Sequence, residues 1–137
     1  MNEVTGSFDA TITSQTISGI PDVANHDLAL AQVAGTQSSA DANFDGAALS
    51  YWGVADLIAG SGSQKGYFVN TAPNGDRNWG TFEGSITTSG EEVTLGGVWQ
   101  YTGGTGTFSG VVGNGSYHGT AVSPTVIHME WEGEYKL

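Results

Sequence analysis

The stretch Val126-Ile127-His128-Met129-Glu130-Trp131-Glu132-Gly133-Glu134-Tyr135 alternates residue by residue. Ile127, Met129, Trp131 and Tyr135 fall on one face; His128, Glu130, Glu132 and Glu134 fall on the other. A period of two is the pattern of a half-buried strand, with the apolar set turned to a core and the acids to water. In an oligomer the outside can be apolar as well, which would reverse that assignment. The chain's start behaves alike: Val4, Phe8, Ala10 and Ile12 alternate with Thr5, Ser7, Asp9, Thr11 and Thr13.

Between these ends no stretch has a helical period. Ile20-Pro21-Asp22 breaks the first strand, and Asp27 to Val33 is an apolar run of strand length. Gln37 to Phe44 is small and polar and reads as a loop. Ala47 to Ile58 is the most apolar stretch, and Gly53 inside it predicts a bend or bulge. Gly60-Ser61-Gly62-Ser63 turns the chain, Lys65 to Thr71 is a strand, and Pro73-Asn74-Gly75-Asp76 carries the Asn-Gly signal of a tight hairpin. Trp79 to Thr87 returns, Ser89-Gly90-Glu91 turns and Val93 to Tyr101 runs out again. Gly103-Gly104 predicts a turn, Gly106 to Val112 a strand, Asn114-Gly115 a break, Tyr117 to Val122 a strand and Pro124 a turn. About eight or nine strands at such regular spacing predict an all-β domain over residues 1–137, without linker or repeat. An eight-stranded antiparallel barrel is favoured over a sandwich, because glycines inside strands permit the coiling that closure requires.

Composition narrows the function. The 137 residues hold 3 Lys+Arg against 14 Asp+Glu, a formal charge of −11. Such a field repels phosphate backbones and anionic lipid, which argues against nucleic-acid and membrane partners. There are 22 glycines and no cysteine, so thiol catalysis, thiolate metal sites and disulfides fall away. Met1-Asn2-Glu3-Val4 has neither a basic nor an apolar signal-peptide region. The expected protein is soluble, either cytoplasmic or exported with its leader removed.

The segment Tyr101-Thr102-Gly103-Gly104-Thr105-Gly106-Thr107-Phe108-Ser109-Gly110-Val111-Val112-Gly113 resembles the signature of the allene oxide cyclase and dirigent-protein barrels. The likeness covers about a tenth of the chain, with Gly66-Tyr67-Phe68-Val69 and Trp79-Gly80-Thr81-Phe82-Glu83-Gly84 fitting in strand order. It implies an eight-stranded barrel with an apolar cavity that steers reactive hydrophobic intermediates, often as trimers. Thr5 to Ser14 carries no acidic-polar pair matching the cyclase active-site strand, so no catalytic residue is transferred; a bacterial-type relative fits better.

Asp56 shares a strand face with Trp52, Val54 and Ile58. If that face lines a cavity, burial raises its pKa and suits it to proton transfer. A rim position bonded to backbone is the competing reading. His118, His128 and Glu83 are alternative proton-transfer groups. Glu83 shares its face with Trp79, Thr81 and Ser85, whereas His118 and His128 lie on neighbouring strands. The three histidines, with Glu83 or Glu130, lack the close His-x-His pair of a metal site, so no metal or cofactor is expected. Trp52, Tyr67, Trp79, Trp99, Tyr101, Phe108 and Trp131 are the candidate ligand-binding aromatics, each a flat apolar wall and several with one donor. The leading expectation is a cofactor-independent isomerase, cyclase or lyase acting on a small hydrophobic molecule, in a monomer, dimer or trimer. A lipocalin- or avidin-like carrier and a lectin-like or structural protein are the alternatives.

Overall fold

The structure, a computed structural model, describes all residues from Met1 to Leu137. Eight strands follow one another: β1 (Asn2–Gly19), β2 (His26–Thr36), β3 (Ala48–Ile58), β4 (Ser61–Thr71), β5 (Arg77–Ser89), β6 (Glu92–Gly104), β7 (Val112–Ala121) and β8 (Val126–Lys136). Each pairs antiparallel with its neighbours in sequence, and β1 pairs with β8 to close the barrel. The sheet therefore has no free edge. No helix is long and apolar enough to cross a membrane.

The hairpins use the expected chemistry at slightly shifted positions. Ala59 and Gly60, at φ 52° and 81°, make the two-residue turn between β3 and β4, one step before the Gly60–Ser63 expected. Both central residues of such a turn need positive φ, which suits glycine and strains alanine. Gly53 produces no bulge, because β3 keeps unbroken register with β2 and β4. The register shifts lie instead between Ile12 and Ser14 of β1 and at Trp79/Gly80 of β5. Gly103-Gly104 ends β6, Asn114-Gly115 lies within β7, and Gly106–Phe108 is a 3-10 turn rather than a strand.

The interior explains the glycines. Three cross-strand glycine pairs face inward: Gly53–Gly66, Gly84–Gly97 and Gly115–Gly133. A Cβ added at Gly66 would lie 2.8 Å from the Phe82 ring, and one at Gly53 would lie 3.4 Å from it. At Gly84 and Gly97 it would meet the Tyr117 hydroxyl at 2.6 and 2.7 Å, and at Gly115 and Gly133 the Trp99 ring at 2.7 Å. Each pair is the seat of one aromatic side chain from the neighbouring strand, Phe82 opposite Gly66, Tyr117 opposite Gly97 and Trp99 opposite Gly115. These rings join Phe44, Phe108, Trp131 and Tyr135 in edge-on and tilted contacts, such as Phe82–Tyr117 at 6.0 Å and Trp99–Trp131 at 5.9 Å between centroids. Offset and edge-on geometries are those the ring quadrupoles favour.

The two neighbours Gly96 and Gly97 separate inside from outside. A Cβ at Gly96 would meet only the Tyr117 carbonyl at 3.5 Å, whereas at Gly97 it would overlap the Glu83 carbonyl oxygen. Gly97→Ala should cost about 2 kcal/mol or more, as overpacking does. Gly96→Ala should stay within about 0.5 kcal/mol of the parent. Urea melts of the two variants check this, and equal costs would contradict the seating of Tyr117 on Gly97.

Candidate functional site

Fifteen residues line a cavity of about 80 Å³ in the barrel, among them Phe8, Leu49, Tyr51, Phe68, Phe82 and Met129. It is close to half the ~150 Å³ of an apolar cavity that holds one benzene. Twelve of the fifteen are hydrophobic, and the other three are the amides Gln37, Gln64 and Asn70. No carboxylate, imidazole or amine is among them.

One end of the barrel is sealed by loops. The segment joining β2 to β3 carries Phe44 inward, 4.9 Å from Tyr135 and 5.7 Å from Phe108 between ring centroids. Its backbone is tied to β1 by the reciprocal Ser7–Ser38 bonds, and the Ser39 hydroxyl donates to the Thr5 carbonyl at 2.6 Å. The Tyr135 hydroxyl donates to Asp41 at 2.5 Å, and burial together with that acceptor raises its pKa. Beside this loop, Asp76 accepts from the Thr107 amide at 3.0 Å and from its hydroxyl at 2.8 Å. Those bonds hold the Asp76 carboxyl below the ordinary aspartate value and fix the turn that seats Phe108.

The cavity's polar groups fall into two sets. Trp131 Nε1 donates to Gln37 Oε1 at 2.9 Å, Gln37 to Asn70 Oδ1 at 3.2 Å, and Asn70 to Asn78 Oδ1 at 2.9 Å. This buried amide chain is satisfied within the protein. Gln64 donates to the Tyr117 hydroxyl at 2.9 Å, and burial pushes the Tyr117 pKa up to about 12. Tyr51 and Tyr101 differ: burial raises both, and no hydrogen bond contributes at either hydroxyl. Both residues line the cavity, and no buried polar side-chain atom is sealed off without a partner, so neither hydroxyl is closed off. Each is a neutral phenol with its proton to donate.

The structure divides the candidate residues sharply. Trp99, Tyr101 and Trp131 line the cavity, and Phe108 plugs the barrel end from its 3-10 turn. Trp52, Tyr67 and Trp79 stand on the outer wall, Trp79 under the Arg77 guanidinium at 5.8 Å. Asp56 is outside as well, its side chain 57% exposed, because β3 turns Tyr51 inward and hence Trp52, Val54 and Asp56 outward. Glu83 projects outward opposite Lys65. His118 and His128 do not face each other: His118 lies 3.4 Å from Glu130 and His128 2.8 Å from Asp9, all on the outer wall. No group of three or more His, Asp or Glu side chains could hold a metal ion. The lining residues Phe8, Gln37, Phe44, Gln64 and Phe68 were not among the sequence candidates; Phe8 carried a signal in the alternation of the first strand, and Phe44 as a single large apolar residue in a polar loop.

Asp56 takes part in a clamp. Protonated His26 donates from Nδ1 to Asp22 and from Nε2 to Asp56, both at 2.6 Å, tying the β1–β2 turn to β3. Those two bonds, Asp22 first, raise the His26 pKa, and the His26 bond lowers that of Asp22.

No protein-family model and no curated protein matches the chain. Among solved structures it is similar to a protein of unknown function from the DUF3224 family of Shewanella oneidensis MR-1. Identity is 14% over 100% of this chain and 99% of that one, with a TM-score of 0.49, a likeness that carries no argument.

His26 binds its proton more tightly folded than unfolded, so its contribution to stability is complete below the ordinary value of 6.5 and is lost as pH rises through the raised value. For Asp22, lowered on folding, the contribution is present above 3.8 and is lost as pH falls through the lowered value. NMR titration should find His26 above the ordinary histidine value, and Asp56→Asn should bring it down. A His26 that titrates at 6.5 or below would rule out the clamp.

Proposed function

We propose that the barrel binds a small, mostly apolar molecule carrying a hydrogen-bond-accepting oxygen, such as a ketone, aldehyde or ether. The observation that carries this reading is the pair of free hydroxyls, Tyr51 and Tyr101, in an otherwise apolar cavity. A ligand oxygen that accepts from either hydroxyl keeps it paired, whereas a ligand without an acceptor would cover it and leave it unpaired, at a cost. Burial keeps both phenols protonated, so each has a proton to offer an acceptor oxygen. A carboxylate ligand is disfavoured, since no cation lines the cavity and the chain carries −11.

The volume sets the size. By comparison with benzene, about 80 Å³ accommodates roughly three or four heavy atoms within the barrel.

A second reading, an isomerase, cyclase or lyase working in the same cavity, draws on the same hydroxyls. A neutral phenol can polarise an epoxide or carbonyl oxygen without any carboxylate or imidazole. Conformational confinement by Phe68, Trp99 and Tyr101 would supply the rest.

Trp99 and Trp131 line the cavity, so tryptophan fluorescence reports its occupancy. With small ketones, Tyr101→Phe and Tyr51→Phe should each weaken binding about three- to tenfold, the worth of one hydrogen bond. Binding of the matching hydrocarbons should be unchanged. Asp56→Asn and Glu83→Gln should alter neither. Equal losses for ketone and hydrocarbon would defeat the hydrogen-bonding role. Product accumulating far beyond the protein concentration would favour the enzyme over the carrier.

A further inference from the structure

The outer wall of the barrel is chemically two-sided. On β8 and β1 it carries Glu130, Glu132, Glu134, Glu3 and Asp9, the pattern of a face turned to water. On β2 to β5 the pattern reverses. Trp52 and Tyr67 stand side by side across the β3–β4 ladder, 37% and 66% exposed. Leu30 and Val54 form the next paired row, 51% and 38% exposed, with Leu28 beyond them. Lys65 and Glu83 stand opposite each other on β4 and β5, with exposed Val98 next to Glu83 on β6, while the remaining outward charges lie toward the ends of the face: Asp56, opposite Leu28 and held by His26, and Arg77 over Trp79.

We infer that the outer face of β2–β5 is the surface through which copies of this chain associate. Three observations support a second copy as the occupant. First, size: β2, β3 and β4 each have 11 residues. At about 3.3 Å per residue and about 4.8 Å between strands, a four-strand face covers about 700 Å² in plan. A standard interface uses about 800 Å² of each partner, and corrugation by Trp and Tyr supplies the difference. Second, composition: paired Trp and Tyr anchors flanked by exposed aliphatics match the centre of an interface. Third, charge: two chains of −11 repel, and only a contact that turns the β8–β1 acids outward keeps them apart. The β2–β5 face does so, and it holds both members of a Lys–Glu pair for a self-complementary contact.

Sedimentation velocity over a concentration series tests the assignment on the intact chain. The expected mass is a multiple of 14.1 kDa. Association should strengthen with salt, as the Debye length falls from about 30 Å at 0.01 M to about 3 Å at 1 M and repulsion is screened. Val54→Lys with Tyr67→Lys should give monomers, whereas Glu130→Lys with Glu132→Lys, which changes charge at least as favourably, should not. Tyr67→Ala, which only truncates an outward side chain, should weaken association tenfold or more, so the assignment stays testable if the double lysine variant fails to fold. A 14.1 kDa monomer at every concentration and salt would overturn it and leave the face to a different protein or a lipid surface. Assembly that survives both Tyr67→Ala and a folded lysine variant would also overturn it, by moving the contact elsewhere.

Discussion

The space inside eight strands is the constraint on which the rest of this structure depends. A barrel of this size encloses just enough room for its own side chains. Aromatic rings fit in it only if the wall beside them gives way, and the paired glycines on the adjoining strands are where it does. Phe82 lies on Gly53–Gly66, Tyr117 on Gly84–Gly97 and Trp99 on Gly115–Gly133. The glycine content is thus a packing device as much as a source of coiling. It also leaves the cavity small: once the rings are seated, about 80 Å³ remains.

This packing decides where chemistry can occur. Every ring turned inward is apolar or ends in one hydroxyl or indole N–H, and every carboxylate that alternates with it goes to water. The proton-transfer candidates Asp56, His118, His128 and Glu83 are all on the outer wall, three of them in carboxylate–histidine contacts. The interior keeps hydrogen-bonding groups that do not ionise at neutral pH. Selectivity there is a matter of shape and of one or two donated hydrogen bonds.

Much of the architecture was legible in the sequence where the two faces of a strand differ in polarity. β8 is the clearest case, since Met129 and Trp131 point in and Glu130 and Glu132 point out as its alternation requires. β3 is the opposite case. Leu49, Tyr51 and Ala55 occupy one face and Trp52, Val54 and Ile58 the other, so hydrophobicity could not say which was inside. The choice was made by register with β4, whose Tyr67 and Phe68 pose the same ambiguity. The glycine pairs were illegible for a related reason: Gly84 and Gly97 become partners only once β5 and β6 are aligned. Gln37 and Phe44 reach the cavity from a loop, where no periodicity exists to place them.

The ring of strands also has a seam. Seven of its eight ladders join strands that are neighbours in sequence, whereas the ladder of β1 with β8 joins the two ends of the chain. Bringing those ends together means closing a loop of over a hundred residues, an entropic cost of about 4 kcal/mol before any contact forms. Gly6 and Trp131 face each other across that seam, and a Cβ at Gly6 would overlap the indole. The indole's fit against bare backbone is therefore part of what holds the cylinder shut. Local hairpins can assemble in any order, but the interior is enclosed only when this last, most distant pairing is made.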